Sequence, residues 1–243
     1  MSPISPAPEL AAEGLSVLPV RGLPEVHPGD DLAGLIAACA PLRDGDVVVV
    51  TQKVVSKAEG RIVALDAADA EAKRRLAESE AVRVLRRRGD LVVTETAHGF
   101  VCANSGVDLS NVEAGTAVLL PVDPDRSARR IRDALVFRLK VRVGVIVSDT
   151  FGRAWRRGLT DVASGCAGIA AILDLRGRAD ATGRELQATE VCLADEIAGA
   201  ADLVMAKASG VPVAIVRGLD ASAFRESSVA EEIVRPPAED LFR

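Results

Sequence analysis

The sequence predicts an α+β fold, a two-lobed mixed α/β subunit, and three observations carry that expectation. Short apolar runs, with VVVV at Val47–Val50 the clearest, have the length of buried strands and are separated by stretches of helical spacing. Strands and helices mix without the regular alternation of a doubly wound parallel sheet. Neither GxxxxGK[ST] nor a GxGxxG after a strand occurs, which argues against a P-loop or Rossmann fold.

Residues 1–14, rich in Pro, Ala and Ser, read as a flexible N-terminal tail. Residues 15–235 read as the main domain and 236–243 as a linker-like tail containing the end of RPPAEDLF. Leu15–Val20 is the first expected strand. The loop GLPEVHPGDD follows, and Asp30 or Asp31 can cap a short helix through Ala40. Gly45 opens the Val47–Val50 strand, which ends in Thr51, Gln52 and Lys53. Ala67–Arg88 reads as one long charged helix. Its RVLRRR end is a solvated face whose cations complement a helix C-terminus, in preference to a nucleic-acid site. Leu91–Thr94 and Gly99–Cys102 read as a β pair around TAHG. Ala117–Leu120 is a short strand ended by PVDPDRS. Ser127–Leu139 is amphipathic and helical, and Val143–Val147 is a buried strand that stops at Ser148, Asp149 and Thr150. Thr189–Met205 has helical spacing, and Val211–Val216 is a last buried strand.

Composition bounds the function. Hydrophobic residues make up 49% of the 243, but aromatics only 2%, so the core is built from Val, Leu, Ile and Ala. A net charge of −5 and the lack of aromatic stacking platforms argue against nucleic acid. No apolar run approaches the roughly 18 residues that span a bilayer, and the N-terminus has no signal-peptide pattern. The four cysteines form no CxxC and sit beside small or apolar neighbours, which implies buried thiols in a reducing, cytoplasmic setting. With two histidines far apart in sequence, a His/Cys zinc site is not indicated.

Polar groups collect where apolar runs end. Gln52 and Lys57 follow one strand, Asp108 and Asn111 lie in the loop SGVDLSNVEAG, and Asp149 and Thr150 end another strand. Asp108, Asp149 and the Thr150 hydroxyl are hard oxygen donors that suit Mg²⁺ or Mn²⁺. Arg153, Arg156 and Arg157 follow at once, around the single tryptophan, Trp155. Hard oxygens beside guanidinium groups fit a polyphosphate. The plainer alternative is turn chemistry, with Asp149 capping a backbone amide and the arginines in water.

The segments GLPEVHPGDDL, GDVVVVTQKVVSKAEGR, GVDLSNV, SDTFGRAWRRGLTDVASGCAG, TEVCLADEIAGAADLV and VPVAIVRG resemble coenzyme F420:γ-glutamyl ligase, over nearly the whole chain from about Leu18. The SDTFGR…G-x-TD block is the most specific part. The likeness is greatest to the ligase domain of a two-domain actinobacterial protein. There a tail like RPPAEDLF leads into a flavin-binding reductase-like domain, so a fused or separate reductase is an implied partner.

The resemblance implies the two-lobed fold of that ligase type and a homodimer. The implied reaction is GTP-dependent addition of L-glutamate to the lactyl carboxylate of F420-0, then of further γ-linked glutamates, with release of GDP and phosphate. Carried onto this chain, GTP would be held by Leu23, Pro24, Glu25, Val26, Gln52, Lys57 and Asn111, with a further contact segment beginning at Met205, Ala206 and Lys207. One divalent ion would sit on Asp108 and Asp149 and a second on Thr150. Lys57 and Arg153 are the implied phosphate contacts in catalysis, while Arg156 and Asp161 are candidates for substrate.

Four positions depart from the family pattern, Gln52 only mildly, in place of a small hydroxyl residue. Lys207 stands where many members carry a Gln that helps bind the second metal, and Arg157 and Leu159 replace a common Asn and Gln. These departures motivate an alternative, a non-catalytic nucleotide- or deazaflavin-binding dimer. A metal-dependent phosphohydrolase would explain the Asp/Thr/Arg cluster alone, but leaves the other matched segments unexplained.

Overall fold

The computed structural model describes residues 5, 8–11, 14–66, 69, 71–110, 112–207 and 209–240. Asn111 therefore lies outside the described residues, as do parts of both tails and the start of the expected long helix. The fold is mixed α and β, with four separate sheets among the described residues.

In chain order, β1 (Ser16–Val20) leads through a loop to α1 (Leu32–Cys39), whose N-cap Asp31 accepts the Gly34 N–H at 3.1 Å. Next come β2 (Asp46–Thr51), α2 (Gln52–Ala58) and β3 (Ile62–Ala64). A smaller section holds α3 (Ala72–Ser79), β4 (Ala81–Arg88), β5 (Leu91–Thr96), β6 (Val101–Ala103) and β7 (Thr116–Val118). Then follow α4 (Pro124–Leu139), β8 (Val143–Gly152), β9 (Leu159–Ala167), β10 (Leu173–Asp174) and β11 (Glu190–Val191). The chain closes with α5 (Leu193–Met205), β12 (Val213–Arg217) and α6 (Val229–Glu232).

The main sheet has the order β1-β12-β2-β8-β9, and only β2 and β8 run parallel. Val47–Val50 does not alternate in hydrophobicity because both faces of the sheet are covered. Val47 and Val49 face the cluster built around α5, while Val48 and Val50 face α1 and α4. A third cluster, with Ala77, Val92, Val107, Ala117 and Leu119, forms the core of the smaller section. No helix among the described residues is long and apolar enough to cross a membrane. All four cysteines are free thiols, with Cys102 and Cys166 buried.

Two sequence expectations are corrected. Ala81–Arg88 is a strand, not the end of a helix. Gly89, at φ 57, and Asp90 close a two-residue hairpin turn, so β4 pairs antiparallel with β5. Cross-strand pairing prevails over helix propensity: the Arg83 guanidinium lies 2.9 Å from Glu95, while Arg87 donates to Glu78 at 2.9 Å. The cations of RVLRRR thus line an edge strand rather than a helix terminus. The second correction concerns Ser148–Thr150, which lies within β8 and not in a turn after it. Strand β9 keeps pairing as far as Gly152↔Leu159. Helix α5 and strand β12 begin later than their periodicity indicates, at Leu193 rather than Thr189 and at Val213 rather than Val211.

Two buried carboxylates tie these layers together. Asp46 is fully buried at the start of β2 and takes a bidentate pair from Arg217 of β12 at 2.7 and 2.8 Å. Asp125, 5% exposed in the first turn of α4, accepts the N–H groups of Cys166, Val229 and Ala230 at 2.8, 2.9 and 3.0 Å. It joins β9 and α6 to α4. Gly165 permits that closeness, since a Cβ there would lie 2.3 Å from the Pro124 backbone. Replacing Asp125 with Ala strands three N–H donors, those of Cys166 and Val229 buried, and is expected to cost about 2–4 kcal/mol. Asp125→Asn, which keeps one acceptor oxygen, should recover part of that loss in urea melts.

Candidate functional site

Parallel strands put their C-terminal ends at the same edge of a sheet, and in an open sheet that edge is where ligands bind. Here Thr51 of β2 is in register with Ser148 of β8. Their continuations, Gln52 onward and Asp149–Thr150, therefore emerge side by side. The loop Leu23–Val26, the C-terminal end of α5 with Met205–Lys207, and Asp108 close around them. The result is a cleft of about 560 Å³. Asp108 is fixed there by a backbone bridge to Val118, with N–H···O distances of 3.0 and 2.9 Å. A second depression of similar volume, around Arg132, Arg225 and Phe224, lies elsewhere, at the opposite strand ends. Its Arg132 and Arg225 are already paired with Asp133, Glu226 and Glu232.

Asp161 organises the cleft floor. It faces Thr150 across the β8–β9 ladder. The Ser148 hydroxyl donates to its Oδ2 at 2.9 Å, and the Thr150 hydroxyl donates to its Oδ1 at 2.7 Å. Ser148 and Thr150, two residues apart on a strand, share a face and so a single acceptor. A bulge between Val147 and Ser148 sets that phase, and the hydroxyl of the extra residue, Ser164, donates to the Val147 carbonyl at 3.0 Å. Each hydroxyl that gives its proton to Asp161 keeps its lone pairs for another partner.

The charges around this floor are strained. Burial pushes the Asp149 carboxyl up to about 7; Asp161 and Asp108 add repulsion, while the Thr150 N–H and the Lys207 charge oppose the rise. Asp202 is likewise raised by burial and by Asp161, against Lys207. Asp108 differs. Burial alone would raise it, but the ammonium of Lys53 and the Ser110 donors together hold it below its ordinary value. Lys57 Nζ donates to Glu25 at 2.5 Å, which anchors α2 to the Leu23–Val26 loop. Ala206, which ends α5, has φ 35, an unusual backbone for a side-chain-bearing residue, on the cleft wall.

No three His, Cys, Asp or Glu among the described residues converge as a ready metal cage. The donors are carboxylates and hydroxyls spread over one wall. The lining carries five carboxylates, Glu25, Asp108, Asp149, Asp161 and Asp202, against three ammonium groups, Lys53, Lys57 and Lys207. An acidic cleft of hard oxygens fits a Mg²⁺-like ion that keeps its waters and also binds phosphate oxygens.

The cleft brings together Leu23, Pro24, Glu25, Val26, Gln52, Lys57, Met205, Ala206, Lys207, Asp108, Asp149, Thr150 and Asp161. It does not include Arg153 or Arg156, which lie on the exposed loop between β8 and β9 beside Trp155, where the Arg153 guanidinium donates to the Arg157 carbonyl at 3.0 Å. The Gln52 side chain is buried, and its amide donates to the Ser56 hydroxyl and the Leu119 carbonyl at 2.5 and 3.1 Å. Sequence reasoning missed Lys53, Ser110, Ser148 and Asp202, all on the cleft wall. Ser148 shares the signal of Asp149 and Thr150, a polar residue ending an apolar run, and Asp202 had another, being an acid in the last turn of a helix, where the dipole disfavours it.

Residues 22–218 match the family described as F420-0:Gamma-glutamyl ligase. The chain is 43% identical to the coenzyme F420:L-glutamate ligase of Methanopyrus kandleri, over 95% of this chain and 99% of that protein. It is 42% identical to the protein of the same name from Methanothermobacter thermautotrophicus, with the same coverage. To the Archaeoglobus fulgidus protein of that name it is also 42% identical, over 94% of this chain and 96% of the relative.

Asp149 carries a pH consequence. Its folded-state pKa, near 7, lies above the model-peptide value of 3.8. The folded state therefore binds the proton more tightly than the unfolded chain. This contribution to stability is fully present below about pH 4 and is lost as pH rises through about 7. With chelator present, Asp149→Asn should remove that part of the pH dependence and raise the melting temperature above wild type at pH 8. An unchanged melting profile across pH 4–8 would contradict the assigned shift.

Proposed function

This chain belongs to the F420-0:gamma-glutamyl ligase family and is a ligase, and from that premise we propose that it is a GTP-dependent amide ligase of coenzyme F420 biosynthesis. It would join L-glutamate to the lactyl carboxylate of F420-0 and then add further γ-linked glutamates. The observation that carries the reading is the convergence of Asp108, Asp149, Thr150, Lys57 and the Leu23–Val26 loop in one cleft at the ends of the parallel strands.

The chemistry sets what the cleft must do. A carboxylate is a poor acyl donor because its leaving group would be oxide. Transfer of the terminal phosphoryl group of GTP to one carboxylate oxygen gives an acyl phosphate and GDP. The glutamate amine then attacks the acyl carbon, the amide bond forms, phosphate leaves, and the amine proton passes to solvent or phosphate. No dedicated acid–base relay is needed.

Bound Mg²⁺ or Mn²⁺, two per site in our reading, would neutralise charge on the transferred phosphoryl group. Asp108 and Asp149 would hold the first ion, and the Thr150 hydroxyl would bind the second through lone pairs that Asp161 leaves exposed by taking the proton. Repulsion among Asp149, Asp108 and Asp161 would be relieved on binding. Lys57 would exchange part of its contact with Glu25 for a phosphate oxygen. Leu23–Val26 and Met205–Lys207 would flank the nucleotide.

Arg153 would reach the phosphates from the exposed loop. Arg156 would meet acidic substrate, either the glutamate carboxylates or the deazaflavin phosphodiester. A homodimer would cover the exposed Trp155 and Leu159 of that loop and its edge. A second reading, a nucleotide-binding dimer without turnover, is favoured by one observation: Lys207 sits in the cleft wall, where an ammonium cannot ligate the second cation.

The test is mass spectrometry of protein, F420-0, GTP, L-glutamate and Mn²⁺. A product heavier by one or more glutamyl units, absent when GTP or glutamate is omitted, supports the ligase. Nucleotide binding with no mass shift would favour the second reading. Asp149→Ala is expected to lose at least about a hundredfold in rate. Full activity in that variant would remove Asp149 from the metal site.

A further inference from the structure

Both oxygens of the Asp108 carboxylate are engaged before any ligand arrives. Oδ1 accepts the Ser110 N–H at 2.7 Å, and Oδ2 lies 2.9 Å from Lys53 Nζ. The same ammonium donates to the Ser110 carbonyl at 2.7 Å and to the Ser110 hydroxyl at 2.6 Å. An ammonium has three protons, so these three oxygens saturate it. The Lys53 side chain is 18% exposed and stands on the wall that also holds Asp149 and Asp161. A carboxylate, a carbonyl and a hydroxyl around one positive centre are the donor set of a hard cation.

We propose that Lys53 is an internal stand-in for the divalent ion. Its ammonium holds Asp108 in the cleft when no metal is present and releases the carboxylate when a metal binds. The inference rests on Asp108 being a metal ligand, as read above. A monovalent centre at 2.9 Å and a dication on the same oxygen repel each other. A dication arriving alone must therefore displace Lys53 and leave it without a carboxylate.

A dication arriving with a polyphosphate brings the displaced ammonium a new anionic partner, within the swing of a flexible four-carbon stem. Metal and nucleotide binding are thus coupled through one side chain. Each strengthens the other, by the same factor in either order of addition. In this scheme Lys53 sets the metal affinity of the resting cleft and meets the polyphosphate only once the metal has displaced it.

The experiment measures Mn²⁺ affinity by electron paramagnetic resonance, with and without a non-hydrolysable GTP analogue. It compares wild type, Lys53→Met, Lys53→Gln and Lys53→Arg. Without nucleotide, Lys53→Met and Lys53→Gln should bind Mn²⁺ about tenfold more tightly than wild type, and Lys53→Arg should resemble wild type. The gain in Mn²⁺ affinity on adding the analogue should shrink in the two neutral variants. Asp108→Asn should abolish the difference between wild type and Lys53→Met.

Thermal melts supply a second readout. Lys53→Met should melt below wild type in chelator and regain that loss with Mn²⁺. If wild type binds Mn²⁺ through Asp108 and the neutral variants bind it equally or more weakly, the stand-in role is overturned and the metal reading stands. If none of these proteins binds Mn²⁺, with or without nucleotide, the metal reading falls and this inference falls with it.

Discussion

The parallel pairing of β2 with β8 is the constraint on which the rest of this structure depends. Parallel neighbours cannot be joined by a short turn, so the chain between them must travel, and here it builds the whole smaller section on the way. The pairing also sends two chain continuations out of the same sheet edge, beside Thr51 and Ser148. Every other wall of the cleft is then a segment packed against that edge: the loop after β1, the end of α5, and the Asp108 bridge carried by β7. The fully buried valines on both strands bury both sheet faces and so fix which way each strand end points.

Within that frame, the cleft is a compromise between packing and charge. Five carboxylates on the wall of a cleft of about 560 Å³ would repel strongly if each were left to itself. Each is managed differently. Asp161 accepts two hydroxyls, Asp108 is matched by Lys53, and Glu25 by Lys57. Asp149 accepts the Thr150 N–H at 2.8 Å, and beyond that it and Asp202 have the more distant charge of Lys207; they are the two whose proton affinity rises. Burial, with repulsion from Asp161 and Asp108 added to it, thus weighs most on Asp149, beside the hydroxyl of Thr150.

Much of this was legible in the sequence, for identifiable reasons. Val47–Val50 could only be a strand covered on both faces, and Asp149 and Thr150 stood out because polar residues followed a buried run. The resemblance of the SDTFGR block and its companion segments placed distant loops, such as Leu23–Val26 and Met205–Lys207, in one site that periodicity alone could not assemble. What stayed hidden depended on tertiary pairing. Ala81–Arg88 has the charges of a solvated helix, and only its partner β5 makes it a strand. The continuation of β8 through Ser148–Thr150 was masked because polar residues in a half-exposed strand resemble a turn. Lys53 gave no sign of its role, since its three oxygen partners lie more than fifty positions away.

The bulge at Val147/Ser148 has a consequence for how this site tolerates change over time. It acts as a phase lock for the hairpin beyond it: the β9 side chains from Leu159 to Ala163 take their facing from that one extra residue. Insertions or deletions in the exposed loop between Gly152 and Leu159 leave that phase untouched. Loss of a single residue at Ser164 would shift the β9 side chains before it by half a period and turn Asp161 away from both hydroxyls. The base of the hairpin is therefore fixed residue by residue through its pairing, while the length of its tip is not.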